Sequence, residues 1–175
     1  MSSPAGPHTR RRLAPPSGEP SVVVADEQSV VSVDTHHLAD LALAVVRAEG
    51  VTGPAELSLT FVDDDTIAEC NRRFLGGDGP TDVLAFPIDP LDADADSDAH
   101  GRGLPRLLGD VLVCPAVAEH HASQWGRPTS DELALLVVHG VLHVLGMDHA
   151  EAEEAAAMQA RERELLGRFH LEARR

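Results

Sequence analysis

Residues 56–62, ELSLTFV, alternate polar and apolar side chains, which is the period of a half-buried strand. The β-branched runs SVVVA (21–25) and SVVSV (29–33) predict further strand material, divided by a turn or bulge at Asp26, Glu27 and Gln28. Between them and the alternating strand the period becomes helical: Leu38, Leu41, Val45 and Val46 form one apolar stripe, Asp34 or Thr35 can cap its start, and Gly50 ends it. Asp63, Asp64 and Asp65 then supply acceptors for the free amides of a second helix, expected to run to about residue 74 and to bury Ile67, Ala68 and Phe74. Capping suits them better than a hard-metal site, because successive helical residues point in different directions. Glycines 76, 77 and 79 with Pro80 make a turn into a strand over residues 81–87, closed by Pro87, and residues 107–114 give another. From there the chain is helical. Pro115 opens a helix to about Trp125, Ser130 is expected to cap an apolar one, and residues 151–168 form a charged one anchored by Met158, Leu165 and Leu166. The order predicts an α+β (α/β-like) fold: a small mixed β-sheet packed with helices.

Composition narrows this picture. A chain of 175 residues that is 43% apolar is long enough for one real core and too short to expect two, so residues 21–170 are read as one soluble domain. Residues 1–20 contain Arg10, Arg11 and Arg12 without an apolar core behind them, which suits an unstructured extension rather than a secretory signal. In residues 89–106, Asp89, Asp92, Asp94, Asp96 and Asp98 alternate with small residues but lack the glycine and terminal glutamate of a calcium loop, so a disordered acidic loop is expected. The net charge of -15 arises from 29 acidic and 14 basic residues, every one of the latter an arginine; it repels phosphate at long range, so a nucleic-acid substrate needs locally clustered arginines. Cys70 and Cys114, far apart in different elements, suit free thiols in a reducing cytosol. The longest apolar stretch, residues 133–147, is interrupted by two histidines and argues against a membrane span.

The chemistry concentrates in residues 130–149. His139 and His143 are four positions apart, about one helical turn, so their imidazoles leave the same face of the apolar helix. Gly146 can take the left-handed conformation that ends a helix and swing the chain so that His149 approaches the same point. Three neutral nitrogen donors leave a coordination position for water, as at a catalytic zinc; ligand type alone leaves copper, nickel and iron open. Metallopeptidases of the metzincin type share this histidine and glycine spacing but carry a glutamate general base directly after the first histidine. Here that position is Gly140, which removes the proton acceptor a peptidase needs. His36, His37, His120 and His121 are expected at the surface.

The segment from His139 to His149, HGVLHVLGMDH, resembles the signature of the YbeY endoribonuclease family of bacterial rRNA maturation factors. The segments GPTDVLAFP (79–87) and LGDV (108–111) support the resemblance and occur in the right order. It implies a metal-dependent endoribonuclease specific for single strands, active in 16S rRNA 3' end maturation and late-stage 70S ribosome quality control. The implied metal ligands are His139, His143 and His149, holding one zinc ion; the implied partners are rRNA and the ribosome or its small subunit, in the cytoplasm, with neither DNA nor membrane. The sequence departs from the family at Leu75, where an arginine implicated in activity is frequent, and at Ala85, where serine is common. Arg72 and Arg73, in the preceding turn, are candidates for binding substrate phosphate in its place. The metal-bound water, with its pKa lowered toward ~7, is the candidate reactive group, and Asp148 is the candidate for handling a proton or orienting a histidine. Two other readings share the motif: a non-catalytic ribosome-assembly factor stapled by its metal, and a metal-dependent hydrolase of another substrate.

Overall fold

The computed structural model describes residues 11–13, 18–88 and 104–171. Five strands, β1 (Arg11–Leu13), β2 (Pro20–Asp26), β3 (Ala55–Phe61), β4 (Val83–Pro87) and β5 (Arg106–Val113), form one mixed sheet in the order β1-β2-β3-β5-β4. The inner pairs β2/β3 and β3/β5 are parallel, and the outer strands β1 and β4 are antiparallel to their neighbours. Parallel neighbours need crossover connections, and α1 (Thr35–Ala48) lies between β2 and β3 in the chain for this purpose. The remaining α-helices among the described residues are α2 (Asp64–Cys70), α3 (Pro115–Gln124), α4 (Thr129–Val144) and α5 (Ala152–Leu166).

Helices α1 and α4 cover one face of the sheet, and α3 and α5 pack on α4. This makes α4 the hub. Leu133, Ala134, Leu136, Val137, Val138, Val141, Leu142 and Val144 are all buried, as befits a helix that is apolar nearly all round. On β3, Ala55, Leu57, Leu59 and Phe61 face this core while Glu56, Ser58 and Thr60 stay half-buried on the other face, as the alternation predicts. Met158 and Leu165 anchor α5, and Arg161 ties it to the end of α1 by a 2.7 Å hydrogen bond from Nε to Glu49 Oε1.

Several expectations are corrected. Residues 29–33 are not a strand: the Gln28 carboxamide accepts from the Val30 and Val31 amides at 2.9 and 3.0 Å and donates to the Val31 carbonyl at 2.9 Å, stitching this stretch into a loop. The segment expected to be an unstructured extension contains β1, which pairs with the otherwise open edge of β2; residues 1–10 and 14–17 lie outside the described residues. Residues 89–103 of the acidic loop also lie outside them. The second helix begins as expected, with Asp63 accepting from the Thr66 amide at 2.8 Å; hydrogen bonding to the Thr66 side chain, and then to this amide, lowers the Asp63 pKa. It is α-helical only through Cys70; Asn71–Leu75 widens into a π-type turn, and Phe74 ends up exposed instead of buried. Helix α4 starts at Thr129, and Pro128 rather than Ser130 precedes it, its carbonyl accepting from the Asp131 and Glu132 amides. His37 and His121 are partly buried: the first meets His170 at 2.8 Å and the second lies 3.5 Å from Asp82.

Candidate metal centre

His139 and His143 leave the same face of α4, their ring centroids 4.6 Å apart. The helix then ends in a Schellman arrangement. Gly146 adopts φ +98°, its amide donates to the His143 carbonyl, and the Met147 amide donates to the Leu142 carbonyl, both at 3.0 Å. This reversal brings the His149 ring to 4.8 Å from that of His143 and 5.7 Å from that of His139. One nitrogen from each ring lies within 4.8 Å of the others, so the three residues expected from spacing do converge and can hold a metal ion.

The donor chemistry fits a borderline metal. Burial pushes the His143 pKa down, and the neighbouring His139 and His149 push it further, so the neutral form that ligates is favoured. His139 Nδ1 lies 2.6 Å from Glu162 Oε1, which leaves Nε2 as its free donor atom. Glu162 is only 7% exposed and comes from α5, outside the motif. A lone glutamate in a charged helix gave no sign in the sequence beyond sharing a face with the anchors Met158 and Leu165. Asp148 is exposed; its Oδ1 accepts from the His149 amide at 2.7 Å and lies 3.5 Å from His149 Nδ1, and the amide bond leads the causes that lower its pKa.

A cleft of about 390 Å³ opens beside the three histidines, between α4 and the edge strand β4. Leu75, Asp82, Val83, Ala85 and Pro87 line its far side, and Gly140 lines the histidine side. Gly140 is a packing requirement, since a Cβ there would sit 2.6 Å from Val111 Cγ1 and 3.2 Å from Val83 Cγ2. The place where a metallopeptidase carries its glutamate is therefore closed by the sheet. Arg72 and Arg73 do not line the cleft: Arg72 pairs with Glu69, and the Arg73 guanidinium lies 5.3 Å from the Phe74 ring centroid. Leu75, by contrast, reaches it.

A sequence profile described as Endoribonuclease YbeY matches residues 23–170. The chain belongs to the YbeY endoribonuclease family. Among YbeY relatives, a protein named Endoribonuclease YbeY from Salinispora tropica is 48% identical over 148 residues, covering 83% of this chain and 94% of its own. One of the same name from Acidothermus cellulolyticus is 43% identical, covering 88% of this chain and 94% of its own. A solution structure of a Thermotoga maritima protein has the same fold with a TM-score of 0.53 and 26% identity, over 83% of this chain and 89% of that one. Both the family and the mixed α+β fold expected from the sequence hold. Among the described residues, no helix is long and apolar enough to cross a membrane.

Proposed function

We propose that this chain is a metal-dependent endoribonuclease that cleaves unpaired RNA at the cleft between α4 and β4, acting on rRNA in the cytoplasm. The convergence of His139, His143 and His149 at one wall of an open cleft carries the reading. A zinc ion held by the three imidazoles supplies a Lewis acid and a water acidic enough to react near neutral pH. The chain's own residues do the rest. His139 and His143 are set by α4, which is locked in the core, while His149 stands on the Schellman turn. Asp148 accepts a hydrogen bond from the His149 amide and holds that turn, which supports an orienting part over proton transfer at the substrate.

The opposite wall is the edge strand. Beside the antiparallel β4/β5 pair, the Asp82 carbonyl accepts from the Cys114 amide and the Ile88 amide donates to the Leu108 carbonyl, so the backbone groups of Ala85 alternate toward the side of β4 that pairs with no strand among the described residues. These groups are available to hydrogen-bond an extended, unpaired strand, whereas a duplex has its base edges already paired. Processing of the 16S rRNA 3' end and quality control of late 70S particles, with the small ribosomal subunit as partner, are the roles that fit this chemistry in this family. Residues 21–170 form the domain responsible. Arg72 and Arg73 stand outside the cleft and act on phosphate only through their long-range charge.

The zinc-loaded protein should be incubated with single-stranded RNA, duplex RNA, a peptide and a simple phosphodiester. Internal cleavage confined to the single-stranded RNA is expected. Turnover of peptide or phosphodiester with intact RNA supports instead the hydrolase of another substrate, and no turnover with unfolding on chelation supports the assembly factor.

A further inference from the structure

We propose that Glu162 is a positioning residue for the metal centre: its buried carboxylate holds the Nδ1–H of His139, fixing the ring so that Nε2 points to His143 and His149. The inference rests on the reading of the three histidines as a metal site. The Nδ1 to Oε1 distance is 2.6 Å, a strong contact for a neutral or charged imidazole. Burying a carboxylate is costly unless it is paired, and among the described residues the hydrogen-bond partner of Glu162 is His139. Neither group is free to turn away. Met158 and Leu165 are buried on the same face of α5, and Arg161 fastens the helix to Glu49, so Glu162 is presented to α4 at one fixed height.

Glu162 does not touch substrate. It lines a groove between α4 and α5, together with Asp131, Leu135, Gln159 and His170, and does not line the cleft beside the histidines. Its effect passes through His139. An imidazole in water favours the tautomer with the proton on Nε2, whereas the bond to Glu162 selects the one with the proton on Nδ1. A carboxylate behind a ligating histidine also raises the basicity of the nitrogen that meets the metal. The carboxylate of a helix outside the histidine motif is thereby made part of the site.

The full chain is tested as wild type, Glu162→Gln, Glu162→Ala and Met158→Ala. In metal-free protein at a pH above the histidine range, nitrogen-15 shifts of labelled histidines report the His139 tautomer. Zinc affinity is read by competition with a chromophoric chelator. Glu162→Ala should move His139 to the Nε2–H tautomer and weaken zinc binding by about 10- to 100-fold. Glu162→Gln, which can still accept the Nδ1–H hydrogen bond but carries no charge, should keep the tautomer and bind zinc with intermediate affinity. Met158→Ala loosens α5 without touching the pair, and should lower the melting temperature while leaving zinc affinity within about threefold. A Glu162→Ala protein with wild-type tautomer and affinity overturns the inference, as does a Met158→Ala protein weakened as much as Glu162→Ala. Should Glu162→Ala fail to fold, unchanged zinc affinity in Glu162→Gln overturns the role of the charge. Wild-type protein that binds no zinc overturns the metal reading itself, before any variant is compared.

Discussion

At Gly140 a side chain has no room. The contact of 2.6 Å to Val111 Cγ1 that a Cβ would make is with a branched side chain held between α4 and β5, so Gly140→Ala forces a local shift. Overpacking of this kind costs about 1–3 kcal/mol, and urea unfolding should find the variant destabilised by that amount; an unchanged midpoint would mean that α4 can move away freely. The same contact explains why the histidine spacing of a metallopeptidase occurs here without its glutamate. Spacing alone disclosed the three candidate ligands, because a four-residue step and a glycine exit have direct geometric meaning. Glu162 stayed hidden because the partner of a ligand is set by how two helices dock, which no local pattern encodes. Gly109 was visible as part of a motif but not for its reason: at φ +154° its missing Cβ makes room for the Phe86 carbonyl, 2.3 Å from where that carbon would lie.

Leu75 lines the cleft where, among the described residues, no guanidinium does, and a chain of charge -15 gains little help from its long-range field. Leu75→Arg places a planar donor opposite the histidines and should tighten single-stranded RNA binding about tenfold at low salt, with a steeper salt dependence measured by fluorescence anisotropy. Equal affinity at every salt concentration would show that the side chain at this position does not meet phosphate.

Among the elements, those with a strong period were legible and those held by single polar contacts were not. The alternation of β3 and the stripe of α1 reappear residue by residue, because burial on one face is what creates the pattern. The β-branched run after Gln28 has strand propensity but becomes a loop, since one carboxamide satisfies its backbone groups locally. Gln28→Ala removes all three bonds and should speed backbone amide exchange at Val30 and Val31 with little change in the core; unaltered protection there would contradict this account. The histidine-bearing element carries its own pH signature. The folded state holds the His143 pKa below its unfolded value, so the unfolded chain binds more protons between the two. This part of the metal-free protein's stability is present above the unfolded pKa of about 6.5 and is lost as pH falls toward the folded one. Melting temperatures of metal-free protein should therefore fall on acidification through this range, and His143→Asn should flatten that fall.

For the molecule as a whole, the mixed sheet with α1 and α4 on one face fixes a rigid wall for two of the histidines, and β4, the edge strand among the described residues, fixes the other wall. The fold class was legible because strand and helix periods alternate along the chain; the strand order was not, since β5 inserts between β3 and β4 by long-range pairing that leaves no mark in local sequence. The arrangement makes one claim above others: RNA cleavage runs through the three histidines. The most direct test compares single-stranded RNA cleavage by zinc-loaded wild type, chelated wild type, chelated wild type with zinc restored, and the His139→Ala/His143→Ala double variant. Loss of cleavage on chelation, recovery with zinc, and neither zinc retention nor cleavage in the double variant are predicted. Undiminished cleavage by a folded, metal-free double variant would contradict the account.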